Sequence, residues 1–126
     1  MSKLWMSVGV TATLTVLWCC GSAVSADPKY TIKEVMKMAH QGKPALCAKA
    51  VKGEASVDEL KQLLAYYEAL AANKPPRGDA NAWKERTSAL VESVKALIAN
   101  PKDKDALAKY NKAVGCKGCH SEHKPT

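Results

Sequence analysis

The chain has 126 residues, of which 25% are charged and 6% aromatic, with no phenylalanine and a formal net charge of +7. This length bounds the answer to one small domain. The basic residues form no run interleaved with aromatics, so nucleic-acid binding has no support, and no strand alternation, repeat or low-complexity tract appears.

Residues 1–26 carry the marks of a signal peptide. Lys3 is followed by an apolar stretch from Val8 through Trp18 and by small residues ending in Val24-Ser25-Ala26. The apolar run is too short and too rich in threonine for a membrane span. Cys19 and Cys20 raise a lipoprotein anchor, but Trp18 stands where a small residue belongs. The expectation is an exported protein without a stable membrane anchor, in the periplasm or an equivalent extracytoplasmic compartment, with residues 27–126 as the mature domain. Removing Lys3 from the 19 basic residues leaves 18 against 12 acidic ones, a net of +6. That balance suits a docking face for an acidic partner or a solvated surface.

The mature chain is predicted to form four helices. The first spans Thr31 to Val51, with Ile32, Val35, Met36 and Ala39 at helical spacing, and stops at Lys52-Gly53. Ser56-Val57-Asp58-Glu59 is a capping box that opens the second helix. This helix runs to about Asn73 with Val57, Leu60, Leu63, Leu64, Tyr67 and Leu70 inward. Two prolines and a glycine make Lys74 to Asp79 a loop. The third helix covers roughly Asn81 to Ala99 and ends at Asn100-Pro101. The fourth starts near Asp103 and passes through Leu107, Tyr110 and Val114 into the last residues of the chain. Four amphipathic helices with short connections predict an all-α fold, a four-helix up-down-up-down bundle. Without phenylalanine its core depends on Leu, Val, Ala and a few Trp and Tyr. Such a core is small.

Cys116-Lys117-Gly118-Cys119-His120, at the end of the fourth helix, is the most specific motif. C-x-x-C-H is the attachment site of a c-type haem. The two thiols add across the haem vinyls as thioethers, and the adjacent histidine is delivered to iron. A zinc site would want a second ligand pair at suitable spacing, and none exists. A redox dithiol would be expected beside a βαβ pattern, and none is present. His123 lies beyond the motif in a polar tail and reads as solvated. Covalent haem would also add apolar bulk to the core.

Four helices with C-x-x-C-H on the last resemble the class II c-type cytochromes, the cytochrome c prime group. The segment Ala50 to Ala55 is similar to the end of that family's first helix. The resemblance spans Ile32 to Lys124. It implies one covalent haem c on Cys116 and Cys119, with His120 as proximal ligand. It also implies that the distal position falls on the first helix, where a methionine makes an electron carrier and an apolar residue leaves iron open to gases.

Three residues there are candidates for the distal position. Met36 lies nearest the family's position, though methionine on an apolar stripe is usually core filling. His40 follows one turn later and would give bis-histidine ligation. Cys47 lies eleven residues beyond Met36, about three turns and roughly 20° around a continuous helix, but Gly42-Lys43-Pro44 puts that continuity in question. After processing, Cys47 has no partner within its chain, so it should be buried, ligated or paired. Size and a lone cysteine also make the chain similar to the heterodimeric His/Cys-ligated cytochromes of anammox metabolism.

The favoured reading is a low-potential monohaem cytochrome, with Cys47 as distal thiolate, that binds small diatomic gases such as NO or CO, transfers electrons, or does both. The alternative is a six-coordinate electron carrier with Met36 bound. A third, structural role would place Cys47 in an intermolecular disulfide or subunit contact. The expected partners are an acidic redox protein and a second subunit, as homodimer or heterodimer, to which Tyr66-Tyr67 contributes either contact or core. Glu34, Glu54, Glu68 and Glu92 form no acid–base pair, so enzyme activity is not expected.

Overall fold

The computed structural model describes residues 27–125. The predicted leader, with Cys19 and Cys20, lies outside the described residues. Among these residues every regular element is helical, and no helix is long and apolar enough to cross a membrane.

The first helix begins as expected but does not continue. Thr31 opens α1 (Ile32–Val35) with a capping box, its backbone N–H donating to Glu34 Oε2 at 2.8 Å. The chain then widens into a π-helical segment, Met36–His40, and leaves helical geometry at Gln41. Helix resumes only at α2 (Leu46–Val51). The single predicted helix is therefore two pieces. Gly42 sits at φ +137°, a conformation only glycine adopts without strain. Pro44 offers no N–H and pushes Lys43 away from the α region.

Past α2 the sequence signals act locally and hold. Gly53, at φ +70°, turns the chain, and its N–H donates to the Ala50 carbonyl at 3.1 Å. Ser56 and Glu59 form the capping box of α3 (Val57–Ala72). The second oxygen of Glu59 pairs with Lys49, which ties α2 to α3. Asp79 caps α4 (Ala80–Ala99) by accepting from Ala82 N–H, and Asp103 does the same for Ala106 at the start of α5 (Lys104–Ala113). The predicted fourth helix is also divided. Gly115 takes non-helical dihedrals, and α6 (Cys116–His123) begins after it.

α3 packs chiefly on α4 and α4 on α5, while α1 rests on α3 and α6 touches α4. Their shared core contains Leu60, Leu63, Leu70, Val94 and Leu97, with Val35 and Ala39 from the first helical segment. Val57, expected inward, is exposed, because as the first residue of α3 it lies at the edge of that stripe. Tyr66, Tyr67, Trp83 and Tyr110 supply the bulk that phenylalanine would give elsewhere. Tyr66 and Tyr67 are therefore core, not surface. Buried tyrosine and tryptophan need partners for their polar atoms. Trp83 Nε1 donates to the Asn73 carbonyl at 2.9 Å, and the Tyr67 and Tyr110 hydroxyls bond each other at 3.0 Å.

Candidate functional site

On α6, residues 116, 119, 120 and 123 follow i, i+3, i+4, i+7 spacing and share one face. That face looks into a cavity of about 650 Å³, whose wall includes Cys116, Cys119, His120 and, from the first helical segment, Ile32, Met36 and His40. A smaller recess of about 70 Å³ repeats Met36, His40, both cysteines and His120 and adds Leu70, Leu90 and Val114. The larger volume lies within the range of about 300–1,000 Å³ usual for cofactor sites. Two thiols, one imidazole and an apolar lining on a common wall are a donor set that fits covalently held haem. Another groove, of about 710 Å³, is lined by Lys37, Met38, Lys49, Glu59 and Tyr66 among others and contains no cysteine or histidine.

All three motif residues are within reach of solvent or the cavity. Cys116 and His120 are exposed and Cys119 is half-buried. Burial raises the Cys119 thiol, opposed by the nearby Arg86 guanidinium. Among the described residues no three His, Cys, Asp or Glu side chains converge as a bare metal centre.

The distal candidates divide between two elements. Met36 and His40, on the π-helical segment, both reach the cavity wall opposite α6. Cys47, on α2, is half-buried and does not line either cavity. Its electrostatic neighbours are Cys116, Tyr67 and Tyr110. Burial and then the Cys116 charge raise its thiol; both tyrosines are raised chiefly by burial, with the Cys47 charge a lesser cause. Burial lowers the pKa of His40, with a further contribution from the His120 charge. His40 Nε2 is 3.3 Å from the Tyr67 hydroxyl, which makes a chain His40–Tyr67–Tyr110 running from the cavity into the core.

His123 is a correction to the sequence reading. It is 2% exposed, not solvated. Its Nδ1 donates to the Arg77 carbonyl at 2.9 Å, and its ring meets Trp83 edge-on at 5.2 Å. Arg77 completes the clasp, its guanidinium donating to the carbonyls of Ser121 and Glu122 at the end of α6. The 74–79 loop thus seals the C-terminal turn of α6. Nothing local to His123 signals this burial. The partner is a backbone carbonyl 46 residues away.

Comparison with family models, curated proteins and solved structures finds no match to this chain.

Proposed function

We propose that this chain is an exported monohaem c-type cytochrome of the class II kind, a four-helix up-down-up-down bundle that works at low potential, binds small diatomic gases and passes electrons to an acidic partner. One observation carries the reading. Cys116, Cys119 and His120 present their side chains to a single cofactor-sized, largely apolar cavity, as thioether attachment and axial ligation require.

In this reading Cys116 and Cys119 hold haem c and His120 binds its iron. The group supplies the redox and gas-binding chemistry, and the protein tunes it through ligand and burial. The chain's own residues orient and enclose. α6 sets the three attachment side chains on one face, the loop clasp at Arg77 fixes that helix's end, and Leu70 and Leu90 keep water from the inner recess. Cys47 is the candidate distal ligand that a low potential calls for, since an anionic thiolate favours ferric iron.

A second reading is a six-coordinate electron carrier with Met36 as distal ligand. The presence of Met36 on the walls of both cavities favours it. The test is the absorption and low-temperature EPR spectrum of the ferric protein beside Cys47→Ser, followed by addition of CO to the reduced protein. The gas-binding reading expects a low-spin thiolate signature lost in the variant and a CO-sensitive reduced spectrum. An unchanged ferric spectrum with no response to CO would sink it in favour of Met36.

A further inference from the structure

The chain His40–Tyr67–Tyr110 has a direction that hydrogen-bond accounting fixes. Tyr67 and Tyr110 are both fully buried, with their hydroxyl oxygens 3.0 Å apart. If His40 Nε2 carried a proton and gave it to Tyr67, Tyr67 would donate to Tyr110, and the Tyr110 O–H would have no acceptor in the core. A buried donor without a partner is strongly disfavoured. In the opposite direction Tyr110 donates to Tyr67 and Tyr67 donates to His40 Nε2, so every proton is placed. His40 Nε2 is then a bare acceptor, and the single proton of the neutral ring sits on Nδ1.

That nitrogen makes no hydrogen bond among the described residues, and His40 lines both the larger cavity and the inner recess that Cys116, Cys119 and His120 share. We propose that His40 is a hydrogen-bond donor, through Nδ1–H, to a small diatomic ligand held in this cavity, and that Tyr67 is the positioning residue that keeps its proton there. The inference rests on the gas-binding reading and deepens it. His40 on this account is not an iron ligand. Its Nε2 is committed to Tyr67, and its N–H would serve a polar, partly anionic ligand that takes the distal position in place of Cys47 in the reduced protein. A donor at that place strengthens as charge builds on the ligand, so it discriminates among gases by polarity.

The decisive experiment uses the haem-loaded, reduced protein with CO as probe. Covalent haem and CO binding are first established from the absorption spectrum of each variant. The infrared C–O stretch then reports the donor. Wild type is expected to show one band, at lower frequency than His40→Leu. Tyr67→Phe is expected to split or raise the band, because the proton can then move to Nε2. Tyr110→Phe should leave the band near its wild-type position, since Tyr67 still donates to His40. Dissociation of NO, the more polar probe, should quicken about two- to tenfold in His40→Leu, the range one neutral hydrogen bond supplies. Nitrogen NMR of the CO complex should find the His40 proton on Nδ1.

A proton found on Nε2, or a C–O band unmoved by His40→Leu in a haem-loaded, CO-bound protein, would overturn the proposal while leaving the gas-binding reading intact. Absence of covalent haem or of any CO complex would overturn the reading itself, and the role of His40 with it.

Discussion

Gly78 is the position where a single methyl group should do most damage for its size. Its φ is +85°, in the region where an L-residue with a Cβ loses about 1–2 kcal/mol. An added Cβ would stand 2.7 Å from His123 Nδ1 and 2.8 Å from the Glu122 carbonyl oxygen. The first contact breaks the bond between Nδ1 and the Arg77 carbonyl. The second is with backbone and cannot be relieved by a rotamer change. Overpacking of this kind costs about 1–3 kcal/mol. Together the two effects predict that Gly78→Ala loses about 2–5 kcal/mol, and at about 4–8 °C per kcal/mol for a domain of this size the midpoint should fall by at least about 8 °C. Gly118→Ala is the matched control within α6. Its Cβ would meet only the flexible end of Arg86, at 3.1 Å, and replacing a helix-interior glycine with alanine gains about 0.5–1 kcal/mol. Thermal melts of the haem-loaded protein followed by circular dichroism should therefore move in opposite directions. A Gly78→Ala midpoint within about 2 °C of wild type would refute the idea that the 74–79 loop is locked onto His123.

Acid should weaken the fold through the two capping boxes. The Thr31 N–H, and for Glu59 the Lys49 ammonium followed by Ser56, hold the Glu34 and Glu59 carboxyls below their ordinary value of 4.5. As pH falls the unfolded chain takes up these protons first, so the contribution is complete above about pH 4.5 and is lost as pH drops through the lower folded-state values. Urea midpoints at neutral and acid pH should show a flatter acid limb in the double variant Glu34→Gln/Glu59→Gln, and parallel profiles would contradict the account. Asn73 Nδ2 donates to the Tyr30 and Ala69 carbonyls at 2.8 and 2.7 Å, joining the segment before α1 to the end of α3. Asn73→Ala is expected to cost about 1–3 kcal/mol in a denaturant titration, since the Tyr30 carbonyl loses its donor while the Ala69 carbonyl keeps only the backbone N–H of residue 73.

What was legible in the sequence was what is decided within a few residues. Ser56 and Glu59 make their capping box from side chains three positions apart, and Pro101 ends α4 by local geometry alone. Cys116, Cys119 and His120 share a face because any helix would place them so. What was not legible depends on distant contacts. His123 belongs to a polar tail by composition, and only the carbonyl of Arg77 and the lack of a side chain at Gly78 make a buried place for it. Tyr67 and Tyr110 read as apolar filler at helical spacing, while their hydroxyl contact joins residues 43 positions apart.

The distal side of the cavity shows why helical phase could not settle its ligand. Placing Cys47 on the same face as Met36 assumes eleven residues of unbroken α-helix. The chain instead passes through a π-helical turn, which shifts the angular register, and then through five non-helical residues, 41–45. The direction of Cys47 is set afresh by α2, which packs on the π-helical segment, α3 and α5. Met36 and His40 answer to a different element, the π-helical segment against α3. Two helical segments that pack on each other therefore carry the candidates, one with a thioether and an imidazole on the cavity wall, the other with a thiol outside it. Gly42 and Pro44 are the residues that make this separation possible. A continuous helix would have fixed all three candidates in one rigid phase, whereas the break leaves the thiol off the cavity wall while the imidazole lines it.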